Sequence, residues 1–381
     1  MSEKPFLDAR KVLLIVSEFG EPNGGQYCYA DAFYRSFVEI FALASSLAPA
    51  ENIKVIKFNC KRKIFSRYLG SFAYLNYLLR TLDTLLINIA LFFYVTFLLK
   101  PWCVFFIKAE NINYRLLRYL KNHLAFSPYL LMFYPDSPFA FFNGNSNSNI
   151  LLSLPYYDTF FIWNKKLIPV LQGAGACRAV YFPFYPELQN FPAVKTLIAA
   201  AEKKYDVSFV GAWDKKREDY LTHLILHLPK VKLVIAGPLW LEMLDEESAL
   251  RSCILASALN FEEMILLFAH SKICLNILKE QNANSHNMRT FEVPASGSFL
   301  LAEYSREQDE FFKKEQQADY FSNKEQMLEK IKFYCKHISY LDKIAAAGYQ
   351  KNKSYSLKKL LQEKTAFLFR KQYRQISSRN E

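Results

Sequence analysis

The residues best suited to a phosphorylated ligand lie in one stretch, Lys279-Glu-Gln-Asn-Ala-Asn-Ser-His-Asn-Met-Arg289-Thr-Phe-Glu292-Val-Pro-Ala-Ser-Gly297, which follows an apolar strand pattern and opens a helix. In the first turn, Arg289 can add a forked donor to the positive end of the helix dipole, which is what a diphosphate requires. Glu292, one turn further on, can accept from both hydroxyls of a ribose, as acidic residues do in nucleotide-binding folds. Lys279, His286 and Asn287 stand in the same polar run and are candidate contacts to phosphate or sugar. Alternatives stay open: a surface salt bridge for Arg289, and solvated positions for Glu292 and His286.

The earlier half holds candidates for proton transfer. Asp136 lies just past an apolar strand in Tyr134-Pro-Asp-Ser-Pro138, fixed between two prolines where a carboxylate could take an acceptor's proton. Glu18, after the first strand, is the second candidate base, and a turn-capping role for Asp136 is the alternative. The stretch Glu18-Phe-Gly-Glu-Pro-Asn-Gly-Gly-Gln26 leads into a helix. Gly24 and Gly25 can take positive φ and let the backbone approach an acceptor or a phosphate closely, or can simply form a turn.

These residues need a scaffold, and the apolar runs supply its outline. Strands are predicted at residues 11–16, 53–58, 103–107, 129–133, 159–163, 207–210, 232–236, 273–277 and 298–302, with longer amphipathic stretches between them. Short apolar strands alternating with helices predict parallel sheets covered on both faces, the α/β class. The pattern restarts after a proline-rich passage at residues 183–192. The expectation is two Rossmann-like domains facing across a cleft, residues 1–190 and 191–355, with a helix and basic tail over 356–381 returning to the first domain.

Composition narrows the function classes. A chain of 381 residues exceeds one usual core, and 51% hydrophobic with 22% charged residues excludes disorder as its main description. Seven scattered cysteines without a C-x-x-C pair argue against a disulfide framework or zinc site and fit a reducing cytoplasm. The start of the chain reads as a strand, not as a signal peptide. The apolar residues 84–99, interrupted by Asn88, fall short of the roughly 20 needed for a span, so a buried or interfacial helix is expected.

The net charge of +12 is concentrated in two places. Residues 54–67 hold six basic side chains and no acid, and residues 343–381 hold ten against two acids. No helix-turn-helix, RNP or finger signature accompanies them, so no nucleic-acid partner is expected. The first cluster precedes the apolar segment, which points to an anionic membrane surface as a partner, with solvated basic faces as the alternative.

The order and spacing of several motifs resemble the CgeB-like group of glycosyltransferases. They are Asp206-Val-Ser-Phe-Val-Gly-Ala-Trp213 with Arg217, Val234-Ile-Ala-Gly-Pro-Leu-Trp240, Asn276, Asn287-Met-Arg-Thr-Phe-Glu292 with Ala295-Ser-Gly297, and Ile344-Ala-Ala-Ala-Gly348 before Ser354-Tyr355-Ser356. That group is similar to the family 4, or group 1, glycosyltransferases of GT-B fold. The resemblance implies a nucleotide-sugar donor in the second domain, with Arg289 at the diphosphate, Glu292 at the ribose, and Gly211 and Gly237 in the donor site. It implies a glycan, lipid-linked or other cell-envelope acceptor at the first domain. No cofactor is expected beyond the donor substrate. No metal is expected either, because the Asp-x-Asp of metal-dependent GT-A enzymes does not occur at a strand end. The chain departs from the E-x(7)-E pattern of family 4, whose first Glu would fall at Asn284.

Overall fold

The computed structural model describes residues 11–20, 29–47, 53–61, 65, 73–139, 148–187 and 202–369. Among these, residues 11–20, 29–183 and 364–369 form one unit and 184–363 a second. The division falls inside the proline-rich passage, of which residues 188–192 lie outside the described residues, as do Gly24, Gly25, Arg62, Lys63, Arg67 and the tail beyond 369.

The first unit is a parallel sheet in the order β2-β1-β3-β4-β5-β6. Its strands are β1 Val12–Ser17, β2 Lys54–Asn59, β3 Cys103–Ile107, β4 Tyr129–Tyr134, β5 Thr159–Ile162 and β6 Ala179–Tyr181. Every residue of β3 and β5 is buried, the mark of strands covered on both faces. Helix α1 (Tyr29–Leu47) lays Phe33 and Phe37 on Phe105 of β3. Helix α2 (Ala73–Phe93) runs on into a π-helical turn, Tyr94–Leu99. Helices α3 (Tyr114–Asn122), capped by the Asn113 side chain, α4 (Ser148–Ser153) and α5 (Leu167–Gly173) complete the layers.

The apolar helix differs from expectation in extent and in setting. The segment Tyr74–Leu99 is 26 residues, long and apolar enough to cross a membrane; within it an 18-residue window has mean hydropathy 2.0, and 22% of that window is buried. In the sequence the uncharged apolar run begins only at residue 84, because Arg80 and Asp83 break it before that. Asp83 is buried and accepts the Phe65 N–H, so it does not end the helix. The segment is not the buried helix that was one of the two expectations.

The second unit has a parallel sheet in the order β12-β11-β10-β7-β8-β9. Its strands are β7 Tyr205–Val210, β8 Leu233–Ala236, β9 Ile254–Ala256, β10 Ser271–Asn276, β11 Phe299–Glu303 and β12 Asp319–Phe321. The order reverses between β7 and β10, and ligands of open α/β sheets bind at such a reversal, beyond the carboxyl ends of the strands. Its helices are α6 (Lys215–His227), α7 (Trp240–Met243), α8 (Phe261–Ala269), α9 (Arg289–Ala295), α10 (Arg306–Phe311), α11 (Lys324–Lys336), α12 (Ile338–Asn352) and α13 (Leu357–Thr365). The Leu357 N–H at the start of α13 donates to the Pro186 carbonyl. From residue 364 the chain belongs with the first unit, where the Phe367 ring lies against Tyr129 and Arg178.

Candidate functional site

At the reversal of the second sheet, Arg217 holds two loops together. It projects from α6 and is 6% exposed, and its guanidinium donates twice to the Ile277 carbonyl beyond β10 and once to the Ala212 carbonyl beyond β7. Burial pushes its pKa down to about 10, which leaves it charged at neutral pH. The role of Arg217 is not legible in the sequence motif that contains it, because its partner is a backbone carbonyl 60 residues away.

The loops beyond β7 and β8 meet backbone to backbone. A Cβ at Gly237, whose φ is +147°, would lie 2.1 Å from the Gly211 carbonyl oxygen. The indole N–H of Trp240 donates to that same oxygen at 2.8 Å. Between them Leu239 takes φ 70°, a left-handed conformation costly for a branched side chain. Gly237 is therefore required by the close approach of two loops, whether or not a ligand also comes near.

These loops form the floor of a cavity of about 300 Å³, the lower end of the range for small-molecule sites. Val210 to Ala212, Ala236 to Pro238 and Ser257 to Leu259 line it from the ends of β7, β8 and β9, with Met264 and Arg289 beside them. Backbone groups and small side chains dominate the lining, and Arg289 is its one charged residue.

Arg289 sits where the sequence expected, in the first turn of α9, a helix of only seven residues with Pro294 inside it. Its Nε donates to the Val210 carbonyl at 3.1 Å, and its Nη1 donates to the Glu292 carboxylate. The two residues expected to face different parts of a ligand thus face each other, as side chains three apart on a helix can. Glu292 is 5% exposed, so the pair is partly desolvated. Helix α9 is itself held from behind by α12, where Gly348 admits the Gln317 carbonyl: a Cβ there would lie 2.3 Å from that oxygen and 3.7 Å from Pro294.

The loop before α9 is fixed by polar and aromatic partners, and this corrects the reading of His286. That histidine is fully buried, not solvated. Its Nε2 accepts the Phe184 N–H at 3.2 Å, which places the proton on Nδ1, 3.1 Å from a Glu307 carboxylate oxygen that also accepts from Ser285. The rings of Phe184, Phe291 and Phe311 surround it. Both nitrogens are spent inside the fold, so His286 orients the loop and does not reach a phosphate or sugar. Asn287, 9% exposed, exchanges two side-chain hydrogen bonds with Asn276 at the end of β10 and also positions the loop. Lys279 precedes a short 3-10 turn, Glu280–Asn282, and is half-buried. Asn284 is exposed at φ 61°, a left-handed position that asparagine tolerates.

In the first unit, the two carboxylates named as candidate bases gather around Lys108. Lys108 follows β3 at φ 55°, and its ammonium pairs with Asp136, beyond β4, at 2.8 Å. Burial pulls its pKa down, but Asp136, Glu110 and Glu18 outweigh that and hold it above its ordinary value. Glu18 itself is more exposed and lies 3.5 Å from Lys61. A base needs a free lone pair aimed at its proton, and the Lys108 ammonium competes for that of Asp136. Among the described residues, no three His, Cys, Asp or Glu side chains converge as a metal site requires.

Residues 215–363 match a family model described as glycosyl transferase-like. No curated protein matches the chain in sequence. Among solved structures, sucrose-phosphate synthase from Thermosynechococcus elongatus superposes with TM-score 0.63 at 12% identity, covering 97% of this chain and 100% of that one. The α,α-trehalose 6-phosphate synthase of Burkholderia multivorans gives TM-score 0.58 at 11% identity, covering 98% and 100%. Anabaena HepE in complex with UDP-glucose gives 0.57 at 10%, covering 94% and 99%. The chain has the GT-B fold, and its second unit carries a glycosyl transferase-like domain.

Proposed function

We propose that the protein transfers a sugar, of hexosyl type, from a nucleotide-diphosphate sugar to a glycan, lipid-linked or other cell-envelope acceptor in polysaccharide biosynthesis at the cytoplasmic side, as a CgeB-like glycosyltransferase. The observation that carries the reading is the cavity at the ends of β7, β8 and β9 with Arg289 on its edge and Glu292 beside it. Backbone-lined space suits a flat base, and a single cation at its edge suits the phosphates that follow it. HepE, of the same fold, was solved with UDP-glucose.

In this mechanism the donor binds the second unit and the acceptor the first. Charge develops on the departing diphosphate as the glycosidic bond breaks, and a guanidinium placed beforehand stabilises it. Arg289 fills that role without a metal ion, and Glu292 takes the ribose hydroxyls once Arg289 has turned toward phosphate. Asp136 or Glu18 takes the acceptor proton, and for Asp136 this requires Lys108 to move aside. The test is titration calorimetry against UDP, GDP, ADP and dTDP, followed by donor turnover with the sugar of the nucleotide that binds. Binding of none of the four would refute the reading.

A second reading rests on one residue in each unit. With Asp136 tied to Lys108 and an exposed Asn284 where family 4 has its first Glu, a non-catalytic nucleotide- or carbohydrate-binding protein would look alike. Tight nucleotide-sugar binding with no donor hydrolysis or transfer would favour it.

A further inference from the structure

The outward face of α2 inverts the usual arrangement of a surface helix. Asp83, Ile87, Leu91 and Val95, spaced four apart, are its buried stripe. Opposite them stand Tyr77, Leu82, Leu85, Ile89, Phe93 and Phe97, between 44% and 67% exposed. Eleven of the twenty-eight exposed large hydrophobic side chains among the described residues lie on the segment Tyr74–Leu99. Singly exposed leucines need no explanation, but a contiguous apolar face of this extent marks a surface that meets something apolar.

The charges around that face select the occupant. Arg80 and Lys100 on the helical segment and Arg115 and Arg118 on the adjacent α3 are exposed. The edge contact of Phe92 with Tyr119 joins α3 to α2. The acids of the same region are engaged elsewhere: Asp83 with the Phe65 N–H and Glu110 with the Tyr134 hydroxyl. A second copy of the chain would set this basic rim against itself, whereas an anionic leaflet complements it. The helix is long enough to span, but its polar ties hold it on its own domain. The Asn88 side chain donates to the Thr84 and Asn111 carbonyls and accepts the Asn113 N–H.

We propose that α2 and its π-helical end lie in the plane of an anionic bilayer, with the face carrying Leu85, Ile89 and Phe93 sunk to the boundary of headgroups and acyl chains. Interfacial helices of this kind combine an apolar face with flanking basic residues. The inference is independent of sugar transfer and stands or falls without it.

The test is co-sedimentation of the full chain with phosphatidylcholine vesicles, with and without phosphatidylglycerol. Binding is expected with phosphatidylglycerol, weakened by high salt, and reduced about thirtyfold or more by Arg115→Glu with Arg118→Glu, since each basic residue near an anionic leaflet adds roughly fivefold. Leu85→Asp with Ile89→Asp should abolish it; both sites are exposed, and an unchanged melting temperature would show that the variant is folded. As a second readout, Leu85→Trp should show a blue-shifted emission on these vesicles. No vesicle binding at low salt would overturn the proposal. So would a dimer in light scattering that Leu85→Asp converts to a monomer incapable of binding vesicles, and so would bound protein that resists alkaline extraction as a span does.

Discussion

Replacing Arg289 by alanine separates what the residue does for the fold from what it does for a ligand. Its guanidinium makes one hydrogen bond to the Val210 carbonyl and one ion pair to Glu292, and its side chain is 22% exposed against 6% for Glu292. Breaking a fully buried pair costs about 3 to 5 kcal/mol, most of it the stranded charge, and the partial exposure of Arg289 reduces that to about 2 to 3 kcal/mol. Adding Glu292→Gln to the alanine variant removes the stranded charge and should bring stability back to within about 1 kcal/mol of the parent in urea unfolding. Ligand binding should not return. A charge-assisted contact to diphosphate is worth about 1.5 to 3 kcal/mol, so the double variant should bind the preferred nucleoside diphosphate about 10- to 150-fold more weakly while its affinity for the bare nucleoside stays unchanged. A folded double variant with parental affinity for the diphosphate would refute the assignment of Arg289 to phosphate.

Three further outcomes are expected. Arg217→Ala strands the Ile277 and Ala212 carbonyls and should cost about 3 to 5 kcal/mol by urea unfolding; a loss under about 1 kcal/mol would show that the guanidinium does not hold the two loops. Gly237→Ala should cost about 3 kcal/mol or more and abolish nucleotide binding, because the new methyl meets the Gly211 carbonyl, while Gly297→Ala, at φ +74° with open space around it, should cost only about 1 kcal/mol. Burial pushes the Asp206 carboxyl up, but hydrogen bonds from Lys272 and the Lys232 N–H outweigh it and hold the pKa below its ordinary value. Its stabilisation is therefore whole above the ordinary aspartate pKa and lost as pH falls through the lower folded value, so Asp206→Asn should flatten the acid limb of the stability curve below about pH 4.

Much of this architecture is legible in the sequence because the central strands are apolar on both faces. Runs such as Val104-Phe-Phe106 and Val234-Ile235 announce themselves without an alternation to decode. The strands that escaped, β6, β9 and β12, have three residues each and lie at sheet edges, too short for any period to show. Within the candidate site, residue type and helix position pointed to Arg289 and the motif resemblance to Gly211 and Gly237, and the cavity lining holds all three. What stayed hidden was non-local. The burial of His286 depends on Phe184, which is 102 residues away along the chain, and the engagement of Asp136 depends on Lys108 at the end of a different strand.

The Arg217 contacts also impose an order on folding. Its partner Ala212 is five residues away, whereas Ile277 is sixty away and arrives only when β10 has come back to pair with β7 across the whole of β8, β9 and α8. Until then the nascent half-sheet β7-β8-β9 carries a guanidinium with most of its donors turned to water, and one of the two loops that it joins has no anchor. Forming a contact of such large sequence separation is slow, since loop closure must precede any reward. The cavity is thus a late product of folding. A ribosome-bound chain that has emerged only as far as α8 would possess nearly every residue that lines the cavity, yet not the arginine at its edge nor the strand that fixes its floor.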